Sequence, residues 1–230
     1  MLTSVTALFR SRKQYWILPA YAIFYFTVFR FLEKVIRNPG SYHLIYCPLD
    51  RYIPFSEYFV IFYFAWFIFM FLTFGYFTAI NRDVQEYNRF VLYLFTGMTI
   101  FLIVSAIYPN GLDIRPETLP NHNIFSRMVA MLYRSDTPTN VFPSIHVYNS
   151  LSAALAVNNC KALKKYRGLR IGTFVLAFLI ILSTMFLKQH SVYDVAGGIF
   201  MSIIFYRLIY QPEEISELGS EPEGAASSGR

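Results

Sequence analysis

An all-α, polytopic membrane bundle of about six transmembrane helices is the fold class this sequence predicts, and three observations carry it. Of the 230 residues, 55% are hydrophobic and 19% aromatic while only 15% are charged, proportions that suit a membrane protein and not a water-soluble domain. Five apolar runs approach or exceed the length of a spanning helix, and a shorter one completes six. The basic residues fall in short loops between these runs, where orientation and contact with anionic lipid account for them. The net charge of +6 therefore does not point to nucleic acid.

Taken in order, Arg10, Arg12 and Lys13 precede the first run, residues 15–32. That run ends in Glu33-Lys34-Val35-Ile36-Arg37 without a small-residue cleavage site, so it reads as a retained span and not a signal peptide. A turn-rich segment leads to the second run, 58–80, whose Tyr63, Trp66 and many phenylalanines read as packing and lipid contact. A polar turn at 81–89 precedes the third run, 90–108. In the long connection 109–142, Phe125, Met128, Val129 and Leu132 recur at helical spacing against Arg127 and Arg134, which predicts a short amphipathic helix at the interface.

The fourth run, 144–157, is rich in serine and alanine, as close packing inside a bundle requires. Pro143 is expected in its first turn, next to unpaired backbone amides. Lys161, Lys164, Lys165, Arg167 and Arg170 then mark a cytoplasmic loop. The fifth and sixth runs cover 171–187 and 193–210, and Gly197 and Gly198 would let the last approach a neighbour closely. One membrane domain thus occupies residues 1–210, and the acidic tail 211–230 is expected to be disordered.

With the basic loop inside, both termini are cytoplasmic. Three polar clusters then meet on the extracytoplasmic side: Arg115-Pro116, Pro143-Ser144-Ile145-His146, and Ser183 to Asp194. His190 and Asp194 are four apart, a spacing that on a helix places imidazole and carboxylate on one face. Cys47 and Cys160 fall on opposite sides, and the four histidines lack metal-ligand spacing. No metal and no cofactor is expected.

The order Arg-Pro, Pro-Ser-x-His and Ser-x6-His-x3-Asp, spread over residues 90–208, resembles the type-2 phosphatidate phosphatase and haloperoxidase superfamily. Three positions depart from its pattern: Tyr108 stands in place of a lysine, Ile145 of a glycine, and Thr184 of an arginine. The resemblance implies an integral-membrane lipid phosphatase, hydrolysing a lipid phosphomonoester or pyrophosphate through a phosphohistidine on the outer face. His190 would attack phosphorus, Asp194 would fix its tautomer, and His146 would protonate the leaving alcohol. Arg115, Ser144, Ile145 and Ser183 are expected on the phosphate. Lys188, one helical turn after Thr184, is expected to replace a lost cation, with Arg127 or Arg134 as alternatives. The resemblance extends to inositol-phosphorylceramide synthases, which keeps a headgroup phosphotransferase open beside the hydrolase. A catalytically silent lipid-binding or transport protein is the third alternative. Membrane lipid is the partner in all three.

Overall fold

The computed structural model describes residues 17–36 and 40–210. Among the described residues there are seven α-helices: α1 (Ile17–Val35), α2 (Val60–Gly75), α3 (Val84–Ile107), α4 (Ile124–Ser135), α5 (Ile145–Asn159), α6 (Arg167–Phe186) and α7 (Val192–Ile209). A 3-10 turn, Glu57–Phe59, leads into α2, and a π-helical turn, Tyr76–Ile80, extends it. The basic segment ahead of α1 and the tail 211–230 lie outside the described residues.

Local chemistry sets the helix starts. Asp83 accepts from the amides of Gln85 (2.9 Å) and Glu86 (3.2 Å), so α3 begins six residues earlier than the apolar run suggested. The expected polar turn shrinks to a few residues. Asn123 accepts from the Ser126 amide at 2.9 Å and starts α4. The apolar residues of α4 turn inward, with Val129 and Leu132 buried against Val60 and Tyr63, while Arg127 and Arg134 face out. The amphipathic helix stands where its periodicity put it.

Among the described residues, four helical stretches are long and apolar enough to cross a membrane: Glu57–Ile80, Val84–Ile107, Arg167–Phe186 and Val192–Ile209. The expected six is not reached on this measure. Helix α1 carries Arg30, Glu33 and Lys34 in its second half. Helix α5 has 15 residues, a rise of roughly 22 Å against a hydrocarbon core of about 30 Å.

Helix α5 is nonetheless the centre of the bundle, packed against α2, α3, α6 and α7. Its Ser150, Ser152, Ala153 and Ala154 are wholly buried, and their small size lets backbones approach. Elsewhere the same device recurs. A Cβ on Gly97 would sit 2.0 Å from the Tyr148 ring, and one on Gly198 would sit 2.7 Å from the Ser144 carbonyl. A Cβ on Gly197 would meet the Phe142 ring at 2.6 Å. The glycine pair therefore seats α7 directly against the segment that opens α5.

Alternation of the helices places two ends. Ser56 donates to the Phe186 carbonyl, His43 to that of Pro109, and Ser144 to that of Asp194, which gathers the loops carrying Arg115, His146 and His190 at one end. A short parallel pairing, β1 (His43–Leu44) with β2 (Asn110–Gly111), clips the connection between α1 and α2 to the loop that carries Arg115. The Lys161 to Arg170 segment lies at the other end, where the Glu86 carboxylate accepts from the Lys161 amide.

Candidate active site

Helix α6 stops at Phe186, and the chain then reverses through Lys188, which adopts φ +53°. That left-handed conformation costs a non-glycine residue on the order of 1 kcal/mol. Hydrogen bonds hold it: the Lys188 ammonium donates to the carbonyls of Asp50 (2.8 Å) and Ile53 (2.5 Å). The amides of Gln189 and His190 both donate to the Thr184 carbonyl. Burial lowers the pKa of Lys188, and the nearby Asp50 carboxylate opposes that shift. Lys188 is thus turned away from the site, a correction to its expected role as a replacement cation. The premise of a continuing helix fails two residues before it.

His190 precedes α7 and does not sit on it. Ser191 caps the helix, and Asp194 folds back so that its Oδ2 accepts the Ser191 amide at 2.8 Å. This capping box, and not a helical i,i+4 face, brings Asp194 Oδ2 within 3.5 Å of His190 Nδ1. The separation is within ion-pair reach but lacks hydrogen-bond geometry, and such contacts commonly tighten only when substrate binds. Asp50 braces the same turn, accepting from the Ser191 hydroxyl (2.6 Å) and the Val192 amide (2.9 Å).

His146 lies in the first turn of α5, whose cap is Ser144. Pro143 precedes that cap, two residues before the first helical residue Ile145 and not in the first turn as expected. Asn110 steadies the approach, its Oδ1 accepting the amides of Val141 and Phe142 at 2.9 Å each. The His146 ring lies between Tyr63 and Trp66, at centroid distances of 4.8 and 4.7 Å. Its Nδ1 is 3.3 Å from His190 Nε2, and its Nε2 is 3.0 Å from the Tyr63 hydroxyl. That hydroxyl donates to Asp136 Oδ2 at 2.7 Å.

Both histidines line one cavity of about 420 Å³. Its polar end holds Asp136, Asn140, Asn149 and Gln189, and its apolar part is formed by Phe26, Phe29, Phe64, Phe67, Met98 and Phe101. Among the described residues no lysine or arginine lines it. Arg115 stands just behind, donating to the Asp136 carbonyl at 2.9 Å and to the Gln189 side-chain oxygen. Its guanidinium also packs 4.5 Å from the Tyr133 ring centroid. Burial lowers the pKa of Arg115, while Asp136, Tyr133 and Tyr63 pull it back up.

The other expected phosphate contacts divide. Ile145 lines the cavity and packs beside the cluster joining α1 to α3. Ser144 is fully buried: its amide is spent on Asp194 and its hydroxyl accepts from Val147 at 3.4 Å. Ser183 is also fully buried and donates to the Ile180 carbonyl at 2.6 Å. Neither hydroxyl reaches the cavity, because each satisfies its own helix. Tyr108 stacks on His43.

Residues 90–214 match the model of the PAP2 superfamily. The chain belongs to the PAP2 superfamily. Members of that superfamily are generally phosphatases or phosphotransferases, and with its membrane-type helices this PAP2 protein has a membrane phosphatase-type function. No individual curated protein and no solved structure matches the chain. The PAP2 match includes Arg115, Asp136, His146, His190 and Asp194, whereas Asp50 and Tyr63 lie outside it.

Proposed function

We propose that this PAP2 protein transfers a phosphoryl group from a lipid phosphate ester through a phosphohistidine at His190, with water as the acceptor. The observation that carries the reading is the pair of imidazole nitrogens 3.3 Å apart on the wall of a cavity that is otherwise largely apolar. His190 Nε2 attacks phosphorus, the bond to the leaving oxygen breaks, and that oxygen takes a proton from His146. Water then attacks phosphorus, the P–N bond breaks, and His146 recovers a proton from the water. Asp194 holds the other nitrogen of His190 and stabilises the positive ring. Arg115 supplies positive charge near the phosphoryl oxygens from behind Gln189. A lipid tail fits the aromatic portion of the cavity.

A second reading, headgroup transfer from a phosphodiester, has an observation of its own. Besides Trp66 Nε1 and His190 Nδ1, the buried polar atoms on the cavity wall without a hydrogen-bond partner among the described residues belong to neutral amides, namely Gln189 Nε2, both side-chain ends of Asn140, and Asn149 Oδ1. With Lys188 turned away, Arg115 carries the charge opposite phosphate, which suits a singly charged diester better than a monoester with close to two charges. Purified protein given phosphatidate, a polyprenyl pyrophosphate and a phosphodiester lipid separates the readings. Release of free phosphate from the first two supports the hydrolase. Lipid exchange without free phosphate supports the transferase, and turnover of none supports a silent lipid-binding protein.

The site is proposed to face the extracytoplasmic side of the cell membrane, because the basic Lys161 to Arg170 segment stands at the opposite end. Cys47 and Cys160 are buried and unpaired, so a probe needs new thiols. In intact cells, a membrane-impermeant thiol reagent is expected to label Glu117→Cys and to spare Lys164→Cys, both positions being exposed. The reverse pattern would place the site in the cytoplasm.

A further inference from the structure

We propose that Tyr63 and Asp136 are the positioning pair of His146, which fix its Nε2 as the protonated nitrogen and leave Nδ1 to exchange protons with substrate. The proposal rests on the phosphoryl-transfer reading above and adds to it which nitrogen works and what stands behind it. A phenolic hydroxyl has one proton. That of Tyr63 goes to Asp136 Oδ2, 2.7 Å away, so toward His146 the oxygen can only accept. The proton at the 3.0 Å contact therefore belongs to His146 Nε2. The unprotonated nitrogen of the neutral ring is then Nδ1, which faces His190 Nε2.

The outcome is a site with matched halves. His190 is backed by Asp194 through Nδ1 and works with Nε2. His146 is backed by Asp136 through the Tyr63 hydroxyl and works with Nδ1. The intervening tyrosine lets a carboxylate stabilise the doubly protonated His146 ring without touching it, among buried side chains where such a charge acts strongly. Tyr63 is 1% exposed, so its hydroxyl has no bulk water to turn to. Asp136 also accepts from Arg115 through its main-chain carbonyl, so one residue places both the acid and the phosphate-side cation.

Leaving-group chemistry tests this. An alkyl alcohol departing from phosphorus needs a proton, whereas p-nitrophenolate does not. Tyr63→Phe keeps the ring and removes only the hydroxyl. It is expected to slow the single-turnover release of diacylglycerol from phosphatidate about 10²-fold, within the range that general acid catalysis supplies, while the single-turnover release of p-nitrophenolate from p-nitrophenyl phosphate slows less than about threefold. KM for each should change little. Asp136→Asn is the second variant, since it keeps the carbonyl that holds Arg115, and it should show the same selectivity. The double variant should be no worse than either single one, as befits residues acting through one ring. Equal losses on both substrates, or no loss on phosphatidate, would overturn the proposal while leaving the phosphohistidine reading in place. Failure of wild-type protein to turn over either substrate would overturn both.

Discussion

His190→Ala is expected to lower turnover of any lipid phosphate by about 10⁴-fold or more, because it removes the atom that forms the bond to phosphorus. The loss should come without unfolding. The turn around His190 is held by main-chain donation to Thr184, by the Lys188 ammonium on Asp50 and Ile53, and by Asp194 on the Ser191 amide. None of these bonds uses the imidazole. Thermal unfolding of the purified variant should therefore match that of the wild type while kcat collapses. Normal turnover by this variant would remove His190 from the chemistry.

The second large effect is expected at His146. His146→Ala should reduce kcat on an alkyl phosphate by about 10³-fold, since the leaving oxygen loses its proton donor. Here too the fold has little to lose. Tyr63 still donates to Asp136, and the cap of α5 depends on Ser144 and Val147. The space opened beside Trp66 and Tyr63 should admit free imidazole, and millimolar imidazole is expected to restore part of the activity. Single-turnover release of p-nitrophenolate slowed as much as release of the alkyl alcohol would show that His146 does not act as the acid.

The helical bundle and the PAP2 motifs that bring His146 and His190 together were legible in the sequence because apolar length and motif order are local signals. The helix that proved hardest to classify was α5, whose 15 residues are short for a span yet whose serines and alanines marked it as central. What the sequence hid was the route by which side chains reach the site. The His190–Asp194 spacing suggested a helical face, but a reversal at Lys188 and a capping box do the work instead. Lys188 looked like a cation aimed at phosphate. Nothing local announced that Asp50, far back in a turn-rich loop, would draw it inward. Tyr63 sits 83 residues before its partner His146, in a stretch so full of aromatics that packing was the natural reading. Ser144 and Ser183 carry the motif but spend their hydroxyls on their own helices, a role that residue identity alone does not distinguish from ligand contact.

The central claim is that phosphorus passes through His190, and trapping the intermediate tests it most directly. Wild-type protein mixed with a ³²P-labelled lipid phosphate and quenched in alkaline detergent within milliseconds should carry a label that is stable to base, labile to acid, and located by peptide mapping on His190. The same experiment with Tyr63→Phe should still place the label on His190, but more slowly, because the leaving alcohol takes its proton from His146 as phosphorus moves to His190. A label on another residue, or undiminished turnover with no labelled protein at any quench time, would contradict the account.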